Sequence, residues 1–85
     1  MEWNLITEDY KLLPEFDKVV LLYSRVDDKN YIALGSLSSV TGDGTKWKLQ
    51  TNNGFSDIFQ SFYDSVNQST VDTFKPTHWC EIELP

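Results

Sequence analysis

His78 and Cys80 are the only imidazole and the only thiol in the chain. Two residues apart on a strand, they share one face. A Cys–His pair performs nucleophilic catalysis when the imidazole takes the thiol proton, a third group orients the ring and an oxyanion site is at hand. Same-face neighbours on a single strand lie roughly 6.5 Å apart at Cα, an awkward separation for direct proton transfer. The expected arrangement is structural, with Cys80, Ile82 and Leu84 in the core and His78 hydrogen-bonded at its margin. No catalytic residue is assigned.

Metal chemistry has no better basis. A structural zinc site uses four Cys or His ligands, and this chain offers two. The pairs Asp27-Asp28 and Gly42-Asp43-Gly44 read as turns, and the calcium-binding loop pattern is absent. Thr41-Gly42-Asp43-Gly44-Thr45-Lys46 resembles a phosphate-binding loop only in composition, because the glycine-to-lysine spacing differs. Thirteen carboxylates could supply a pair for glycosidase chemistry, but the sequence singles out none. Neither a metal nor a cofactor is expected, and the protein is read as a non-enzyme.

Recognition is the remaining chemistry. Trp79, Glu81 and Glu83 alternate on the face opposite His78 and Cys80. A tryptophan flanked by carboxylates can anchor a basic partner, since aromatic anchors dominate interface energetics. Asp27 and Asp28 add a second acidic point. Trp79, Glu81, Glu83, Asp27 and Asp28 are therefore the partner-binding candidates. The alternative buries Trp79 under a helix and leaves the two glutamates as ordinary surface.

These residues need a scaffold, and 85 residues provide material for one domain, taken as residues 1–85. Apolar residues at 40% and aromatics at 14% support a folded core. A single cysteine excludes an internal disulfide. The net charge of −6 disfavours direct contact with nucleic acid or an anionic membrane and suits a basic protein partner. Neither a leader peptide nor a membrane-length apolar run is read, so the expected compartment is the cytoplasm.

Residues 18–24 are apolar on both faces, as in a central strand covered on each side. One cover would be the stripe Phe59, Phe62, Tyr63 and Val66. The other would be the N-terminal leader or a second copy of the chain, which makes a homodimer an open option. After a turn at 25–30, strands follow at 31–40 and 46–50, linked by the turn 41–45. Gly35 marks a bulge or a close approach. These three segments form an antiparallel meander, which 51–54 ends.

Over 56–66, the apolar residues Phe59, Phe62, Tyr63 and Val66 recur at helical spacing behind a Ser56 cap. The expectation there is an amphipathic helix, with a structured loop as its rival. Residues 67–76 connect to a last strand at 77–84, and Trp3, Leu5 and Ile6 open a short one. Leu13-Pro14-Glu15-Phe16 forms an extended leader. The expected fold is α+β: a small antiparallel sheet of about four to five strands with one short helix packed on it.

The series Trp3, Leu13-Pro14-Glu15, Val19-Val20-Leu21-Leu22-Tyr23, Tyr31-Ile32-Ala33, Trp47 and Thr77-His78-Trp79 resembles a family of small phage and prophage proteins, the domain of unknown function numbered 551. The tail departs from that pattern, with Cys80-Glu81-Ile82-Glu83 where the family often has Met-Pro-Leu-Pro, and the stretch around 55–66 is longer. The resemblance implies a phage or mobile-element origin and carries no catalytic residues. The functional expectation is a non-catalytic accessory protein acting by protein–protein contact, most concretely an acidic inhibitor of a host defence or nucleic-acid-processing protein. The alternative is a structural, self-associating homodimeric protein.

Overall fold

From Val19 to Ser61 the chain runs as four consecutive antiparallel strands joined by short turns. The computed structural model describes residues 2–7, 11–62 and 73–83. Its strands are β1 (Asn4–Leu5), β2 (Val19–Val26), β3 (Lys29–Val40), β4 (Gly44–Thr51), β5 (Gly54–Ser61) and β6 (His78–Cys80). They make one antiparallel sheet in the order β1-β6-β2-β3-β4-β5. Strand β6 therefore inserts between β1 and β2, at one margin of the sheet.

The meander follows from alternation and turn chemistry. On β2, Val20, Leu22 and Ser24 are buried on one face, while Leu21 and Tyr23 lie half-buried on the other. Asp27 and Asp28 close the β2–β3 hairpin with φ of 48° and 65°. Two successive positive φ values are the signature of a type I′ turn, whose twist matches the flanking strands. The β3–β4 turn is held by Thr41, whose Oγ1 accepts from the amides of Asp43 at 3.3 Å and Gly44 at 3.2 Å. Those amides are thus engaged inside the turn rather than presented to a phosphate.

Gly35 is a close-approach position. A Cβ there would lie 2.7 Å from the Lys48 carbonyl oxygen and 2.8 Å from Leu22 Cδ1. The register irregularity falls later on β3, between Leu37 and Ser39.

Over 56–61 a strand replaces the expected helix, and the α+β assignment is corrected: the described residues form one six-stranded antiparallel sheet. Gly54–Ser61 is strand β5, paired with β4 from Thr51↔Gly54 to Gly44↔Ser61. The elements of the described residues are all strands, and Phe62 alone among those residues is helical. Residues 51–54 do not end the meander; they turn it, with Gly54 at φ +118°. Ser, Asp and Phe favour helix weakly, and ladder bonds plus the burial of Ile58 and Gln60 outweigh a four-residue periodic match. Phe59 is exposed and Phe62 packs against the core. Tyr63 and Val66 lie outside the described residues.

The core sits on one face of the sheet. Val20, Leu22, Leu37, Trp47, Leu49 and Trp79 supply it, with Ile6 closing over them and Leu13 and Phe74 packed at its border. The polar groups it buries are satisfied. Trp47 Nε1 donates to Thr45 Oγ1 at 2.6 Å, and that hydroxyl donates to Gln60 Oε1 at 3.0 Å. Ser24 Oγ accepts the Lys75 amide at 3.0 Å, which pins the segment entering β6. No helix among the described residues is long and apolar enough to cross a membrane.

Candidate functional site

Pairing across β1, β6, β2 and β3 builds one continuous row on the face opposite the core. Leu5 stands opposite His78, His78 opposite Tyr23, and Tyr23 opposite Ile32. The neighbouring row is Cys80, Leu21 and Leu34. Strand alternation sends all these side chains to the same side. Leu5 is 44% exposed, Val19 49% and Ile32 61%. These are large apolar side chains on strands, where the core face has already claimed the alternate positions.

The first row ends in an open cleft of about 430 Å³ lined by Trp3, Tyr23, Asn30, Ile32 and His78. Tyr23 organises it. Its ring lies edge-on to His78, with centroids 5.5 Å apart at 71°, and tilted to Trp3 at 6.0 Å and 59°. Its hydroxyl donates to Asn30 Oδ1 at 2.7 Å, which holds the ring across the hairpin. His78 Nδ1 is 2.8 Å from Thr77 Oγ1. Burial lowers the His78 pKa below its ordinary value by disfavouring the charged ring. The lining is thus aromatic and apolar, carries no formal charge at neutral pH, and offers one amide for hydrogen bonding. Such a surface suits an apolar or aromatic side chain of a partner.

His78 and Cys80 do share a face, but their polar atoms are engaged with sequence neighbours. The buried Cys80 thiol donates to the Glu81 carbonyl at 3.2 Å, and His78 Nδ1 meets Thr77. Cys80 is buried on the face opposite the main core while Ile82 is exposed, so the expected Cys80, Ile82, Leu84 core stripe is not formed at Ile82. Leu84 lies outside the described residues. Among the described residues, no group of three or more His, Cys, Asp or Glu could hold a metal ion.

The five partner-binding candidates fall into two places. Trp79, Glu81 and Glu83 come together, with Glu2 and Asn4, in a small polar groove beside β1. Trp79 is not the exposed anchor such an interface needs. It is 8% exposed, pairs opposite Leu22 in the core, and its indole N–H donates to the Leu12 carbonyl. Among the described residues, the N-terminal segment at Leu12 is what meets its indole. Glu81 bonds Lys18 Nζ at 3.0 Å, and this contact raises the lysine pKa.

Asp27 and Asp28 lie at the other end of β2, whose eight residues span about 26 Å at roughly 3.3 Å each. There Asp28 meets Arg25 at 3.8 Å. One acidic surface does not include all five. Trp3, Tyr23, Ile32 and Val19 were not singled out as contact residues, although the two-sided apolarity of 18–24 already demanded cover on this face.

Comparison with family models, curated proteins and solved structures finds no match.

Proposed function

We propose that the protein is a non-catalytic binding module that works by protein–protein contact through the open face of its sheet. The observation that carries this reading is the row Leu5, His78, Tyr23 and Ile32, continued by Leu34 and Val19. Contiguous exposed apolar surface marks contact sites, whereas apolar residues scattered singly do not. The cleft at the end of the row accepts an anchoring side chain, and the net charge of −6 favours a partner whose surrounding surface is basic.

The narrower form of this proposal is an accessory protein of a phage or mobile element, acting in the host cytoplasm. There it would occupy a basic surface of a host defence or nucleic-acid-processing protein. The acidic balance and the resemblance carried by Leu13-Pro14-Glu15 and Thr77-His78-Trp79 support it.

Affinity capture from host lysate with the wild type and Ile32→Glu tests the reading. Ile32 is exposed, so the variant folds, but a charge buried at the contact weakens binding at least roughly tenfold. A partner captured equally well by both proteins removes the face from the argument. A partner indifferent to moderate salt removes the basic surface.

Self-association through the same face is the second reading, favoured by the uncharged strip formed by Val19, Leu34 and Ile32. Light scattering at micromolar concentration decides it. A dimer that Ile32→Glu dissociates supports it, and a strict monomer ends it.

A further inference from the structure

Trp3 joins two recesses of unlike character. It lines the aromatic cleft, while its chain neighbours Glu2 and Asn4 line the polar groove beside β1. In that groove Glu2 and Glu83 are exposed and enter no ion pair among the described residues, and Glu81 is held by Lys18. The Trp3 end of the cleft is therefore acidic. At the Asn30 end, Arg25 and Lys29 offset Asp27 and Asp28, and Arg25 meets Asp28 directly. Charge differs between the two ends.

Hydrogen-bonding capacity narrows what the cleft can take. Tyr23 already donates to Asn30 Oδ1, which leaves the Asn30 Nδ2 hydrogens as donors. The Trp3 indole N–H has no partner among the described residues. The cleft thus offers donors beside aromatic faces. A strand would bring amide donors of its own, and the carbonyls of a helix are spent on internal bonds. A polyproline II segment fits better. Its carbonyls are free, its prolines have no N–H, and aromatic-lined grooves receive its rings. The row from Leu5 to Ile32 crosses three gaps between strands, about 14 Å. About five polyproline II residues, at roughly 3.1 Å each, cover that length.

From this we infer that the cleft binds a proline-rich segment of a partner protein, with a Lys or Arg flank over Glu2 and Glu83. This occupant deepens the contact reading of the open face and rests on it. Charge sets where the flank lies. A cation gains at the Trp3 end, where two carboxylates are unpaired, and gains nothing at the Asn30 end, where acids and bases balance. A second copy of the chain offers no such segment, because Pro14, Pro76 and Pro85 stand singly.

The probe is a capped pentaproline with two arginines, made once with them at the amino end and once at the carboxyl end. Titrated into isotope-labelled protein, at least one of the two shifts the Trp3 indole and Asn30 side-chain amide resonances. Glycine in place of proline removes the preformed extended shape and weakens binding roughly tenfold. Glutamate in place of arginine also weakens it, and Glu2→Lys, at an exposed position, erases that preference. Trp3→Phe keeps a ring, loses the donor and weakens binding roughly fivefold with the dispersed spectrum retained. Silence of both peptides at millimolar concentration overturns the inference, as does a glycine peptide that binds equally well. Shifts led by Phe55 and Asp57, or a Glu2→Lys variant with the arginine preference intact, overturn it too. A lysate partner that Ile32→Glu releases, alongside that silence, overturns the proline-rich occupant and leaves the contact face standing.

Discussion

The indole N–H of Trp79 donates to the backbone carbonyl of Leu12, 67 residues earlier in the chain. Through this bond the strand inserted between β1 and β2 holds the leader that carries Leu13 and Pro14 against the core. Trp79 is at once a core side chain and a clamp, and the two roles can be separated. Trp79→Phe keeps most of the packing and loses the donor, at a cost of about 1 kcal/mol. Trp79→Ala also empties the site and costs about 3–5 kcal/mol. Urea unfolding of both variants measures the difference. A Trp79→Phe variant as stable as the wild type would mean that the bond contributes nothing.

The buried relay from Trp47 through Thr45 to Gln60 predicts a second asymmetry. Thr45→Val keeps the shape of the side chain but leaves Trp47 Nε1 facing a methyl group. An unmet buried donor costs about 1–3 kcal/mol. Thr45→Ser keeps the hydroxyl and loses less, and the two midpoints in urea rank accordingly.

Much of this architecture was legible in the residues, and the errors have identifiable causes. Strands β2, β3 and β4 announce themselves by β-branched runs separated by Asp, Asn and Gly. The Gly35 close approach is readable because an isolated glycine in a strand needs a reason. β5 was hidden because Phe59, Phe62, Tyr63 and Val66 happen to repeat at helical spacing. Residues 55–60 read at period two, with Phe55, Asp57 and Phe59 against Ser56, Ile58 and Gln60, give the strand. The insertion of β6 is a long-range fact that no local pattern encodes, and it decides the fate of Trp79. A tryptophan between acidic neighbours looks exposed until its strand acquires partners on both sides. The open face was half visible, since 18–24 needed cover on both sides, but which side lacked it depended on where the leader docks.

His78 gives a pH prediction whose sign follows from its surroundings. Burial holds its folded-state pKa below the ordinary value near 6.5. Above that value both folded and unfolded chains carry a neutral ring, and the full stability is present. As pH falls below it, the unfolded chain takes up the proton more readily, so this contribution is lost until the folded-state pKa is passed. His78→Gln removes the titration. Urea midpoints of the two proteins run parallel above pH 6.5 and separate below it, the wild type falling faster. An occupant covering the cleft desolvates the ring further, so partner binding weakens as pH falls through the folded-state pKa of His78, below the window in which stability is lost.

Asp27 and Asp28 supply the sharpest separation of structure from recognition. Both hold positive φ, 48° and 65°, in a type I′ turn. An aspartate tolerates that conformation, but Asn-Gly favours it, and a side chain forced left-handed costs roughly 1–2 kcal/mol relative to glycine. The double substitution Asp27→Asn with Asp28→Gly also removes the contact between Arg25 and Asp28, an exposed pair of negligible worth. The net expectation is a gain of about 1 kcal/mol, read as a higher thermal midpoint. If these acids belonged to the working surface, the same variant would lose its partner. With the contact on the row from Leu5 to Ile32, capture of the partner is unchanged while stability rises. A loss of capture without a loss of stability would return the two aspartates to the interface.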